Sequence, residues 1–221
     1  MMFNVRGNYE TDDRWPLKLT KLEQTQSQAF DATKGTYYIM LQNASYYADT
    51  VKFESVNAAF AVNGHFTIKC GKDSSAMIIE YPGLKLLESR YYTQDVLDQG
   101  NLSYMDGGTN TTAINPGRLG DPVINYVHFP RGMYQTLHTH PSHRIGMVLK
   151  GHGSVELDDS EFPLVQGDVF FMRRNVLHNF TCPYDEDVIL FVFAPDSGTG
   201  PTDEVNPLKI RTYVGQQRYA R

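Results

Sequence analysis

Short strand-like runs separated by glycine turns recur along the chain, and this rhythm constrains the fold more than any other feature of the sequence. The clearest case is Asn63-Gly64, which joins apolar runs at 58–62 and 65–70. Asn-Gly between two apolar runs is a strong signal for a tight β-hairpin. Aromatic residues, which favour strands, make up 12% of the chain. The sequence therefore predicts an all-β protein built as a sandwich or barrel.

Two stretches depart from this rhythm. The segment from Lys18 to Phe30 has apolar residues at a spacing that predicts a short helix. Residues 98–122 are rich in Gly, Asn and Thr, which predicts a linker between two halves. We therefore expect an N-terminal β domain at 1–112 and a C-terminal one at 113–221.

Composition excludes several classes of partner. The chain has 221 residues, a formal net charge of −5 and no basic run longer than two residues, which argues against nucleic acid. No apolar stretch approaches the ~18 residues that a membrane span needs. Residues 1–10 lack the apolar region of a secretory signal. We expect a cytoplasmic protein that does not bind membranes.

Four of the seven histidines fall between residues 128 and 143. In the sequence His138-Thr-His140, the two histidines are two residues apart, so on a strand both imidazoles project from one face. If that face lines a barrel interior, the pair is placed to bind one metal ion. Imidazole suits Zn, Fe, Ni and Cu, and together with carboxylate also Mn. Taken alone, this two-histidine pattern is weak evidence.

Glycines and a third histidine extend the pattern. Gly132, the two histidines and Gly151 have the spacing of the first motif of the cupin superfamily, with Arg144 where that family has Glu. Gly167-Asp168 opens a second motif, and His178 stands at its histidine. Three further positions depart from the family pattern, namely Arg173, Asn175 and Cys182. Residues 132–182 thus resemble the cupin superfamily.

This resemblance implies a double-stranded β-helix, the cupin jelly-roll barrel, with a metal site formed by His138, His140 and His178. It implies one divalent transition metal ion, Fe, Mn, Ni or Zn. A faint repeat, in which Gly64-His65 matches Gly151-His152, favours a bicupin whose first barrel is degenerate and has no metal site. The alternative is that two β-rich halves merely share hairpin glycines. The histidines, too, could line a barrel without metal.

Arg144 changes what the site can do. A guanidinium cannot ligate a cation, so the usual set of three His and one Glu is incomplete. Three His leave open positions of the kind that catalysis needs, and His143 could supply a fourth ligand if the turn is offset by one residue. Arg144 could anchor a carboxylate through both oxygens. Alternatively it faces solvent or pairs with Glu156.

Further substrate-binding candidates are Tyr126, Tyr134 and His143. If the strand before His138 is regular, Gln135 lies on the face opposite that histidine. No catalytic residue beyond the metal ligands stands out.

The function predicted is a metal-dependent enzyme of dioxygenase, isomerase or lyase type, acting on a small molecule that could be a carboxylate. The alternative is a non-catalytic binding or sensor cupin, and a storage bicupin ranks last because the chain is short. Cupins usually pair through strand edges, so we also expect a homodimer.

Overall fold

The computed structural model describes residues 1–11, 14–31, 35–86, 88–93, 99–158 and 160–206. Apart from a 3-10 turn at Met105–Gly107, the regular structure of these residues is all β-strand, which confirms the predicted fold class. The first ten strands are β1 (Met2–Asn4), β2 (Asn8–Glu10), β3 (Lys18–Glu23), β4 (Ser27–Asp31), β5 (Gly35–Ala48), β6 (Val51–Val62), β7 (His65–Lys69), β8 (Ser75–Pro82), β9 (Arg90–Thr93) and β10 (Leu102–Ser103). The next eight are β11 (Thr109–Ile114), β12 (Val123–Phe129), β13 (Arg144–Lys150), β14 (His152–Leu157), β15 (Ser160–Val165), β16 (Val169–Met172), β17 (His178–Thr181) and β18 (Val188–Ala194).

The N-terminal barrel is built on one antiparallel sheet of order β2-β3-β8-β5-β6-β9, with β4 and β7 paired on its other side. Strands β5 and β6 are long because each passes through both sides of the barrel. Left-handed backbone at Asn43 and Ser55, with φ of 52° and 49°, accompanies the register shift between them. These irregularities let one continuous strand bend around the barrel.

The C-terminal barrel consists of a seven-stranded sheet of order β1-β16-β13-β18-β12-β11-β10 and a three-stranded sheet of order β15-β14-β17. Its large sheet takes one edge strand from the chain's N-terminus, where Met2 pairs with Met172. The predicted division at residues 112 and 113 falls inside β11, which belongs wholly to the C-terminal sheet. Because β1 also joins that sheet, the C-terminal barrel is not one continuous stretch of sequence. The predicted linker at 98–122 is wrong in its middle part, where β10, the 3-10 turn and β11 extend the sheet.

The two barrels share a topology. The strand order β3-β8-β5-β6 in the first barrel matches the order β12-β18-β13-β16 in the second. In the first barrel β7 lies between β4 and β5, and in the second β17 lies between the segment 134–138 and β14. Strand β7 therefore corresponds to β17. The predicted repeat, which aligned Gly64-His65 with Gly151-His152, is wrong in register because it matched β7 with β14.

The central strands of both large sheets are buried on both faces, which explains their nearly continuous apolar runs. In β18, Ile189, Phe191 and Phe193 pack between the barrels, while Leu190 points into the C-terminal barrel. In β5, alternate residues divide in the same way between the two cores. Burial of each such side chain contributes about 1.5–3 kcal/mol.

The segment from Lys18 to Phe30 forms strands β3 and β4, so the predicted helix is wrong. Leu19 packs between the barrels and Leu22 packs inside the N-terminal barrel, so pairing with β8 outweighs the weak helical spacing. Within the described part of the chain, no helix has the length and hydrophobicity of a membrane span.

Candidate metal centre

Three histidines from two segments of the C-terminal barrel come together in its interior. Their candidate ligand nitrogens all lie within 4.8 Å of one another. The ring centroids of His138 and His178 are 4.4 Å apart, and the ring of His140 lies 4.8 Å from the first and 5.1 Å from the second. The structure thus brings together the three residues that the sequence predicts as metal ligands.

Backbone hydrogen bonds hold these histidines in place. His138 and His178 each donate a backbone N–H to the carbonyl of the other, both at 3.0 Å. The backbone N–H of Asn175 donates to the carbonyl of His140 at 2.8 Å. Asn175 has a φ of 58°, a left-handed conformation that Asn tolerates better than most residues. The site is therefore fixed by the main chain on both of its segments.

A bulge precedes His138. The backbone N–H of Gln135 donates to the carbonyl of Phe180 at 2.9 Å, while His138 pairs with His178. Two residues lie between Gln135 and His138, but only one lies between their partners Phe180 and His178. The segment before His138 therefore holds an extra residue. Both Gln135 and His138 therefore line the cavity. The prediction that they lie on opposite faces assumed a regular strand and is wrong.

The tautomers of two of these histidines are fixed by backbone carbonyls. Nδ1 of His138 lies 2.9 Å from the carbonyl oxygen of Thr136, and Nδ1 of His178 lies 2.8 Å from that of Val176. A carbonyl oxygen only accepts, so each Nδ1 carries the proton when the ring is neutral. The lone pair then sits on Nε2. Such outer hydrogen bonds orient metal-ligating histidines.

Burial keeps two of the rings uncharged. The pKa of His140 falls to about 3, first because of desolvation and then because of the nearby Arg144 charge. The pKa of His178 falls to about 4, again mainly through desolvation. Imidazoles that are neutral and have free lone pairs are the donor set that a divalent transition metal requires. The residues present therefore fit such an ion.

A cavity of about 300 Å³ opens beside the three histidines. Its remaining lining residues are largely apolar or aromatic, with a few polar groups among them, namely Tyr104, Asn110, Asn125, Val127, Phe129, Gln135, Arg144, Phe170, Met172, Phe180, Leu190 and Val192. None of them is Asp or Glu. An apolar pocket with a few convergent polar groups is the usual form of a small-molecule site.

Arg144 faces this cavity from the start of β13. Its Nη1 donates to the carbonyl and hydroxyl oxygens of Ser142, at 3.2 and 2.7 Å, and to the carbonyl of His143 at 2.9 Å. No carboxylate among the described residues lies within ion-pair distance of its guanidinium. The alternative in which Arg144 pairs with Glu156 is thereby excluded. Asp196 acts on this charge only from beyond ion-pair distance. A positive charge that is clamped and forms no ion pair is suited to an anionic ligand.

A model of the cupin domain family matches residues 125–194, from β12 to the end of β18. This stretch, which includes His138, His140 and His178, is similar to the cupin domain family. A search of curated proteins finds no match.

Solved structures of cupin barrels align with most of the chain. A cupin 2 conserved barrel domain protein from Leptotrichia buccalis is 13% identical, covers 88% of this chain and 89% of its own, and gives a TM-score of 0.58. An IolB-like protein from Salmonella typhimurium LT2 is 13% identical, with coverages of 87% and 92% and a TM-score of 0.59. A salicylate 1,2-dioxygenase variant from Pseudoaminobacter salicylatoxidans is 10% identical, with coverages of 81% and 71% and a TM-score of 0.55. At these identities the likeness shows the fold alone.

Three predicted substrate-binding residues lie outside the cupin cavity. Tyr126 is buried in the core between the barrels, because even and odd positions of β12 face opposite sides. Tyr134 is 64% exposed, and its hydroxyl donates to Glu156 at 2.5 Å. His143 packs against Trp15 and accepts a hydrogen bond from the backbone N–H of Arg174, so it points away from the three histidines. Of the predicted substrate contacts, Arg144 alone lines the cavity.

Several cavity residues were missed from the sequence. Tyr104 and Asn110 come from the predicted linker, and Asn125 lies beside the misassigned Tyr126 on β12. The alternation of β12 could have found Asn125, since Val127 and Phe129 share its face. The predicted linker also supplies Asp106, whose carboxylate accepts hydrogen bonds from the backbone N–H of Thr136 at 2.7 Å and from its hydroxyl at 3.0 Å.

Proposed function

We propose that the C-terminal cupin barrel is a metal-dependent enzyme that acts on a small-molecule carboxylate, with a divalent transition metal ion held by His138, His140 and His178. The observation that carries this proposal is the convergence of three imidazoles beside a cavity that also contains Arg144. The ion would be Fe, Ni or Zn, which suit neutral imidazole, or Mn if the substrate carboxylate completes its ligand set. When bound, such an ion supplies Lewis-acid chemistry and, for iron or manganese, redox chemistry.

The chain's own residues bind and orient the substrate. Arg144 is placed to bind the carboxylate, and its clamp to Ser142 and His143 fixes the guanidinium before the ligand arrives. Burial raises the pKa of the Tyr104 hydroxyl, so this group stays protonated and can donate to the same anion. The rings of Phe129 and Phe170 cover the apolar part of the ligand and exclude water.

Among the reaction types open to a cupin, dioxygenation is the first to test, with isomerase and lyase chemistry after it. The salicylate 1,2-dioxygenase that shares this fold acts, by its name, on an aromatic carboxylate with dioxygen. Another structure of that enzyme is of adducts with gentisate. Both ligands have the size and charge that the Arg144 cavity favours.

The test is reconstitution under argon with Fe(II), Mn(II), Ni(II) or Zn(II), followed by oxygen uptake and substrate loss with a panel of small aromatic carboxylates. We expect turnover with one metal, and a fall in kcat/KM of about 100-fold in Arg144→Gln, because a charge-assisted bidentate contact is lost. The control is Arg118→Gln, whose guanidinium is exposed and pairs with Asp203. Turnover that is equal in wild type and Arg144→Gln would contradict the proposal. Carboxylate binding without turnover would favour the binding-protein alternative.

We also propose that two copies associate through open sheet edges. Strands β9 and β10 end the two large sheets, and Leu102 on β10 is 61% exposed. Light scattering should give a mass near twice 25.1 kDa, and a monomer mass at all concentrations would contradict it. The cytoplasmic location stays a prediction.

A further inference from the structure

Gln135 is a polar side chain at the wall of the cupin cavity and is 1% exposed. The bulge before His138 places it there, because the extra residue turns both side chains inward. A buried amide of this kind needs hydrogen-bond partners for its oxygen and for its nitrogen.

The oxygen of this amide is used inside the protein. Oε1 of Gln135 accepts a hydrogen bond from the backbone N–H of Phe180 at 3.2 Å. This contact fixes the orientation of the amide, since the reversed amide would place its NH2 group against another donor. Nε2 is therefore at the other end, and no described residue accepts a hydrogen bond from it. Its two N–H groups are left for whatever occupies the cavity.

Two further polar groups of the cavity wall are donors, whereas Asn110 and Asn125 can donate or accept and the imidazole Nε2 atoms accept. Arg144 forms no ion pair with a described residue, and the Tyr104 hydroxyl has no hydrogen-bond partner among the described residues. Among the described residues, no carboxylate lines the cavity to accept from a ligand. A wall that offers donors is complementary to a ligand rich in acceptor oxygens.

The apolar part of the wall is flat. A Cβ at Gly146 would lie 2.1 Å from a ring atom of Phe170, so this ring rests directly on the backbone of β13. Phe129 and Phe180 complete the aromatic surface. A planar, apolar body packs well against such rings.

We propose that Gln135 donates a hydrogen bond from Nε2 to a second oxygen of the substrate, while Arg144 binds the carboxylate. The substrate class is then a small carboxylate with a flat apolar body and a second acceptor oxygen, which can lie on the carbon next to the carboxylate. This inference rests on the proposed function only in taking the cavity as the substrate site, and it does not require the metal.

The test uses the full, metal-free chain and two probes of nearly equal shape. Benzoylformate carries a carbonyl oxygen where phenylacetate has a methylene group. Calorimetric titration should show benzoylformate bound about tenfold more tightly, which is the size of one hydrogen bond to a buried donor. Gln135→Glu keeps the acceptor for the Phe180 N–H but removes the donor, and Gln135→Met removes both. Both variants should bring the affinity ratio of the two probes close to one.

The matched control is Gln42→Glu, because Gln42 is also buried but lies in a cleft away from the histidines. It should leave the ratio unchanged. A ratio near one in wild type, a tenfold ratio that survives in Gln135→Glu, or no binding of either probe would each overturn the assignment. Failure of the metal-loaded protein to turn over would overturn the proposed enzyme activity and leave this ratio as it is.

Discussion

In the N-terminal barrel the ring of Phe30 stacks on that of Phe66, at 5.0 Å and 14°, whereas in the C-terminal barrel His138 lies 4.4 Å from His178. Each pair joins the same two segments of its barrel, since Phe30 is the register partner of Phe66 and His138 that of His178. One fold thus holds two rings at this point in both barrels, and the difference between the barrels lies in the chemistry of those rings.

The correspondence between Phe66 and His178 follows from the neighbouring β5–β6 and β14–β15 hairpins, each of which has a two-residue turn. Leu157 closes one hairpin and is paired with His178. Ala48 closes the other, and the register of β5 with β7 continues to place Phe66 opposite it. In the N-terminal barrel, aromatic rings fill the interior here, with Tyr46 stacked on Phe66 at 5.6 Å. Imidazoles in the C-terminal barrel border a cavity instead, and desolvation lowers the pKa of His140 and His178.

The largest expected effect comes from making the second barrel like the first. His178→Phe removes one of three ligands, so Co²⁺ affinity should fall by about 1000-fold or more, because a ligand contributes several kcal/mol to a site of this kind. The metal-free variant should be at least as stable as wild type, since a desolvated imidazole is replaced by an apolar ring. Titration of Co²⁺ absorbance and urea denaturation measure the two quantities. Unchanged Co²⁺ affinity would contradict a metal role for His178 at the position where the first barrel has Phe66.

The reverse exchange should cost stability. Phe66→His removes a stacked ring from a packed interior and buries a polar one, so the free energy of unfolding should fall by about 3 kcal/mol. The control is Phe53→His, because Phe53 is only partly buried at the same aromatic cluster and should cost clearly less. Urea denaturation of both variants gives the difference. Equal stability of Phe66→His and wild type would show that the N-terminal interior is not packed as described.

The outer hydrogen bonds should have a smaller effect on the metal. Asp106→Asn keeps a residue that tolerates the local φ of 55° but leaves one acceptor oxygen for the two donors of Thr136, whose carbonyl orients His138. Co²⁺ affinity should fall about tenfold, as for other second-layer contacts of metal ligands. Thr136→Ser, which retains both donors, should bind as wild type does. If Asp106→Asn also binds as wild type, the contact does not orient the ligand.

The smallest expected effect is a difference in pH dependence. In the metal-free protein the pKa values of His140 and His178 are about 3 and 4, below the ordinary 6.5 that they regain on unfolding. Between these values the unfolded chain binds more protons, so stability is full above pH 6.5 and is lost as pH falls toward 4. His178→Phe should lose less stability between pH 7 and pH 5 than wild type does. Equal losses in urea denaturation would mean that this imidazole is not desolvated.

The sequence alone predicted the parts of the site that depend on the spacing of neighbouring residues. The two-residue spacing of His138 and His140 and the glycine spacing around them identified the segment and, by resemblance, His178. Gln135 was assigned to the wrong face of its strand because a bulge breaks the two-residue period, and nothing in the sequence marks the extra residue. The β1 edge strand could not be found, since its pairing with β16 joins distant parts of the chain.

The repeat was misaligned for a similar reason. The single long strand β5 in the first barrel corresponds to two strands, β13 and β14, in the second. An alignment based on hairpin glycines therefore matches strands that do not correspond. Tyr104 and Asn110 were missed because Gly, Asn and Thr predict loops, while the edge of a sheet tolerates them when its partner strand is well formed.

The most direct test of the metal centre is elemental analysis of the full chain, purified without a metal-affinity tag, beside His140→Ala and the surface control His65→Ala. We predict about one equivalent of Fe, Mn, Ni or Zn in wild type and in His65→Ala, and its loss in His140→Ala. No metal in wild type, even after incubation with Fe(II) under argon, or equal metal in His140→Ala, would contradict a metal site formed by the three histidines.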